Sequence, residues 1–117
     1  MKPKTIICDI DGTLVYHSTP TESSNPNFIM KLLPGTMEKL AEWDYLGYNI
    51  ILITGRKESL RKVTEQQLSN VGIFYDQLIM GVGSGTRILI NDNKPAGDIT
   101  AVAINLTRNQ GIQQIKI

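Results

Sequence analysis

One stretch constrains this chain more than any other: Thr5-Ile6-Ile7-Cys8-Asp9-Ile10-Asp11-Gly12-Thr13-Leu14. Thr5 to Cys8 is β-branched and apolar, without alternation, and too short for a helix. That pattern predicts a buried strand, apolar on both faces as in a parallel sheet. Asp9 and Asp11 then stand where the strand leaves the sheet, the carboxyl edge at which open α/β sheets place their ligand sites. Two carboxylates so close repel each other unless something positive lies between them. A hard divalent cation with oxygen ligands, Mg²⁺, is the usual remedy. With the charge neutralised, one carboxylate can act as nucleophile and the other can move a proton. Gly12 lets the backbone turn sharply beside a ligand. The competing readings fit less well. A plain Asp-x-Asp-Gly turn is common. A calcium loop would need a glycine where Leu14 stands and a bidentate Glu where Pro20 stands. A nucleotide-sugar Asp-x-Asp site lacks chain upstream for a nucleotide fold.

The chain has 117 residues, enough for one domain over 1–117 with its own core. A net charge of +1 gives no basic stripe for nucleic acid or a membrane surface. No apolar run is long enough to span a bilayer. Asp9 and Asp11 interrupt what could otherwise resemble a signal segment. The single Cys8 reads as a small buried side chain in a reducing, cytoplasmic setting.

Tyr16 to Leu33, with Pro20, Ser23, Ser24, Asn25 and Pro26, reads as a long loop placed to cover the site. It is too short for a cap domain, and its His17 reads as an exposed loop residue. Pro34-Gly35-Thr36 opens a helix to about Leu46, with Met37, Leu40, Ala41 and Tyr45 on its apolar face and Trp43 at the core edge. Tyr48 to Ile53 is the second buried strand, ending in Thr54-Gly55-Arg56, where a hydroxyl and a glycine offer donors to an anion. Leu60, Val63, Gln67, Leu68 and Val71 mark the next helix, stopped by Gly72, with Lys57, Glu58, Arg61, Lys62 and Glu65 on a solvated surface. Leu78 to Met80 predicts a third strand. The Gly81–Thr86 connection has no Walker pattern and spans only about 20 Å, short for a parallel crossover. Arg87 to Ile90 predicts a fourth strand running into Asn91-Asp92, and Ala101 to Leu106 a fifth. The Gly111–Ile117 tail reads as an edge strand or a segment packed on the core. The sum is a single doubly wound, mostly parallel α/β sheet with its first strand central, bringing Asp9, Asp11, Thr54 and Asp92 together.

That set resembles the haloacid dehalogenase-like superfamily, mostly phosphotransferases. Asp9-Ile10-Asp11-Gly12-Thr13 matches its first motif, Thr54 after an apolar strand its second, and Asn91-Asp92 its fourth. The lack of an inserted domain is similar to its small, capless members. The resemblance implies a Rossmannoid fold and a phosphatase acting on a small phosphorylated substrate. It implies attack by Asp9 to form an aspartyl-phosphate, with Asp11 as general acid and base. It implies Mg²⁺ held by Asp9, the backbone carbonyl of Asp11, and Asp92, and phosphoryl oxygens held by Thr54 and the amides near Gly55.

Two departures stand out. Asn91 replaces an acidic residue, and residues 81–86 lack the cation of the third motif. Lys94 is the favoured substitute, with Lys57 and Arg56 also just past strand ends. Arg87 starts its predicted strand, about 13 Å below Asn91. These departures keep a second function in view, a domain of reduced chemistry that binds a ligand or partner. The exposed third-strand edge and apolar tail are compatible with a homodimer.

Overall fold

The structure, a computed structural model, describes residues 2–117. Its centre is a three-stranded parallel sheet in the order β1 (Thr5–Asp9), β2 (Asn49–Ile53), β3 (Gln77–Ile79). Cys8 pairs with Leu52, and Leu52 with Leu78, so the three strand ends lie level. Between the strands lie a single turn of helix, α1 (Pro20–Ser23), then α2 (Thr36–Tyr45), a 3₁₀ turn (Glu58–Leu60) and α3 (Arg61–Asn70).

The chain steps in one direction across the sheet, so right-handed crossovers put α2 and α3 on the same face. Residues two apart on a strand share a face. Cys8, Ile50, Leu52 and Leu78 point inward and cluster with Leu40 and Trp43 of α2 and Leu68 of α3. Leu40, Leu52 and Leu68 are completely buried, each contributing about 1.5–3 kcal/mol of apolar transfer. Trp43 belongs to this core, whereas Tyr45, expected on the same face, is 90% exposed. It stands in the last turn of α2, two residues past Trp43, and points away from the sheet.

The second half of the expected sheet is not formed. Neither Arg87–Ile90 nor Ala101–Leu106 is a strand, every residue of 81–100 is exposed, and β1 is an edge rather than the centre. These segments have strand-forming side chains, but no neighbour within the chain offers them a ladder. They make a projecting arm whose tip is a turn, with the Lys94 amide donating to the Asp98 carbonyl at 2.9 Å and that of Gly97 to Lys94 at 2.7 Å. The molecule measures 50 × 28 × 25 Å.

The chain then returns. Ile112 is buried, its amide donates to Pro34 at 3.0 Å, and Asn109 donates to the Gly12 carbonyl at 2.8 Å. The tail therefore packs on the core through Ile112 and the half-buried Ile115, without becoming a strand. The Tyr16–Leu33 loop holds one element that periodicity missed. Thr19 and Glu22 form a reciprocal capping box around α1, too short to carry an apolar period.

Candidate active site

β1 delivers Asp9 to the carboxyl edge, and the chain turns at once. Gly12 takes φ +85°, its amide donates to Val15 at 2.7 Å, and the amides of Thr13, Leu14 and Val15 all donate to Ile10. This tight loop holds Asp9 and Asp11 beside each other. A Cβ on Gly12 would stand 3.1 Å from Cγ of Arg108, so the returning tail braces the turn from behind.

Each carboxylate faces an arginine. Arg56, 8% exposed, grips Asp11 with two bonds of 2.9 Å, from Nε to Oδ2 and from Nη2 to Oδ1. Its Nη1 donates to Gln67 Oε1 at 2.6 Å and to Thr64 Oγ1 at 3.3 Å, and Nη2 also reaches Ser18 Oγ at 3.2 Å. Gln67, fully buried on α3, donates in turn to the carbonyls of Glu22 and Asn25. One guanidinium thus ties the acid to α3, and through Gln67 to the Tyr16–Leu33 loop. The planar fork of arginine suits such bidentate work.

Arg87 meets Asp9. Its Nη1 donates to Oδ1 at 3.2 Å, and Nη2 donates to the Gly83 carbonyl at 3.1 Å. Thr13 Oγ1 donates to the other oxygen of Asp9 at 3.2 Å. The Asp9 and Arg87 side chains are each about a third exposed, at 33% and 35%. Both bonds to Asp9 are long for charged partners. Asp9 is therefore the accessible member of the pair, and Asp11 the anchored one.

Thr54 is buried at the end of β2, and its hydroxyl accepts from the Arg56 amide at 3.1 Å. Two backbone bonds sew this turn to the next: Val82 donates to Thr54 at 3.0 Å and Gly81 to Arg56 at 2.7 Å. A side chain on Gly55 would meet the Gly83 carbonyl at 3.3 Å, a close approach that the absence of a side chain eases. Asp9, Asp11, Thr54 and Gly55 accordingly share one sheet edge, as expected.

Three expectations are corrected. Lys94 is exposed in the arm's tip, its backbone tied to Asp98 and Gly97, and makes no ion pair with Asp9 or Asp11. Arg87 lies beside Asp9 instead, because its segment is not a strand and so does not carry it to the far end of the sheet. Asp92 is exposed on the arm, and no cluster of three or more acidic, His or Cys side chains occurs among the described residues. Of the carboxylates expected to hold Mg²⁺, Asp9 stands at the sheet edge with its side chain a third exposed. A single open carboxylate is compatible with Mg²⁺, which commonly binds through one or two carboxylates plus waters and substrate phosphates. From the sequence, Arg56 is only one of several candidate cations and Gln67 belongs to a helix face. The one available signal was polar: Gln67 interrupts the apolar stripe of α3.

No protein family's sequence profile matches the chain, and no curated protein matches it. Solved structures do. A chain of the Pnkp1/Rnl/Hen1 RNA repair complex matches with 34% identity and a TM-score of 0.56, over 67% of this chain and 25% of that one. A Vibrio cholerae protein of known crystal structure matches at 22% identity and a TM-score of 0.53, over 76% of this chain and 79% of that one. A D,D-heptose 1,7-bisphosphate phosphatase from B. bronchiseptica, complexed with magnesium and phosphate, is aligned at 19% identity and a TM-score of 0.48, over 69% and 51%. The chain thus spans about a quarter of the length of the RNA-repair protein it matches. The parallel sheet and the likeness to the RNA-repair chain and the Vibrio cholerae protein support a haloacid dehalogenase-like fold. No helix among the described residues is long and apolar enough to cross a membrane.

Proposed function

We propose that the chain is a phosphohydrolase acting on a small phosphorylated compound through Asp9. The observation that carries this is the unequal pair: Asp9 is open at the sheet edge with Arg87 beside it, while Asp11 is fixed by Arg56. Asp9 attacks phosphorus, and the bond to the leaving oxygen breaks. Asp11 gives that oxygen a proton. It then takes one from water, which attacks phosphorus, releases phosphate and restores Asp9. Arg87 faces the place where charge gathers on the phosphoryl oxygens, and the Thr54-Gly55 turn lies beside it. Fixed cations and donors of this kind dominate phosphoryl-transfer catalysis. Asp9 and the Asp11 backbone would hold Mg²⁺, which supplies charge neutralisation at the phosphoryl group when bound.

A second reading rests on Asp92. With that carboxylate out on the arm, the site lacks one acidic residue of the resemblance, and a domain that only binds a phosphorylated ligand is the alternative. Hydrolysis of an aryl phosphate, with and without Mg²⁺, by the protein and by Asp9→Asn separates the two. Turnover that disappears in Asp9→Asn supports the phosphohydrolase. Retained turnover in Asp9→Asn overturns nucleophilic attack by Asp9. No turnover by either protein, with orthophosphate binding by calorimetry, supports the binding domain. A short end-phosphorylated oligonucleotide offered as substrate tests whether the chemistry extends to nucleic-acid ends, as the RNA-repair match invites.

A further inference from the structure

The chain carries two apolar surfaces that its own fold leaves open. The first is the back of the sheet. Ile7, Ile51, Ile53 and Ile79 share the face opposite α2 and α3, in paired register, with Ile7 51% and Ile79 45% exposed. Parallel sheets are covered on both faces in almost every case, because their strands are apolar on both. The second is the arm. Ile88, Leu89, Ile90, Ile99, Val102 and Ile104 are 48–90% exposed. Those six together leave on the order of 800 Å² open, about one partner's share of a standard interface. Among the described residues, Ile88–Ile90 and Val102–Leu106 make no backbone hydrogen bonds, although their side chains favour strands. The free edge of β1 adjoins the open face.

We infer that the chain forms a homodimer in which the arm of each copy covers the open sheet face, and the free β1 edge, of the other. Both halves of the contact are on one polypeptide, which is what a closed two-fold exchange requires. A formal charge of +1 gives little repulsion between copies. The radius of gyration, 14.8 Å against about 13 Å expected for a compact chain of this length, reflects an arm extended away from its own core.

Sedimentation equilibrium of the whole chain tests this, and its readout is a mass that does not depend on whether the chain hydrolyses phosphates. The protein is expected to sediment as a dimer at micromolar concentration. Ile90→Glu/Val102→Glu alters side chains exposed in the single chain, so circular dichroism should keep its helical signal while the mass halves. Ile7→Glu/Ile79→Glu on the sheet face should do the same. Mixing the two variants leaves one intact arm-to-face contact per pair, so a heterodimer should reappear. A monomeric parent protein overturns the proposal. So does a dimer that survives the arm substitutions, a sheet-face variant that stays dimeric, as an arm-to-arm contact would leave it, or two monomeric variants that fail to complement.

Discussion

Arg56 holds both carboxylate oxygens of Asp11 at 2.9 Å, from a position almost closed to water. A buried pair of this kind adds little net stability relative to an apolar pair, but breaking it strands a charge. It also fixes where Asp11 points, and through Gln67 it is tied to the Tyr16–Leu33 loop.

Arg56→Met should therefore cost about 3–5 kcal/mol, by leaving Asp11 without its partner. Arg56→Lys keeps the charge but cannot make the two-pronged bond, and should lose more activity than stability. Urea unfolding and aryl phosphate turnover, measured side by side, check both outcomes.

Arg87 and Lys94 were rival candidates for the same task, and the structure separates them. Arg87→Ala should lower phosphate hydrolysis about 10²–10³-fold, the effect typical of losing one donor aimed at developing charge. Lys94→Ala should leave kcat within about twofold. Stability should barely move in either case, because surface substitutions usually stay within about 0.5 kcal/mol. A Lys94 variant as impaired as the Arg87 one would show that the arm tip reaches the site.

Burial raises the Cys8 thiol to about pKa 12, and the neighbouring Asp9 charge pushes in the same direction. The folded value lies above the unfolded one, so the contribution to stability is complete below the unfolded pKa of about 9. It is lost progressively as pH rises from there towards 12. Alkaline unfolding curves of Cys8→Ala should be flatter over this window than those of the parent protein. The thiol should react with a maleimide only in denaturant.

Gly35 precedes α2 at φ +87°, and a side chain there would run into the Gln113 backbone. Gly35→Ala should destabilise by about 1–3 kcal/mol, through strain at a left-handed position and displacement of the returning tail. Thermal unfolding would register this as a drop of several degrees.

The sequence alone determined β1, β2, α2, α3 and the pairing of Asp9 with Asp11, Thr54 and Gly55. Each follows from local information: an apolar run, a helical period, a glycine stop, or a fixed spacing along one strand. α1 escaped because four residues cannot display a period, although Thr19 and Glu22 carried its capping signal. What only tertiary structure decided was everything that depends on which segments lie side by side. Arg87–Ile90 and Ala101–Leu106 look like strands, but a strand exists only where a neighbour supplies its hydrogen bonds, and this fold supplies none. That same fact moved Arg87 to Asp9 and kept Asp92 and Lys94 away from it. Arg56 and Gln67 are 11 residues apart on separate elements, and nothing along the chain shows that one guanidinium joins them to Asp11.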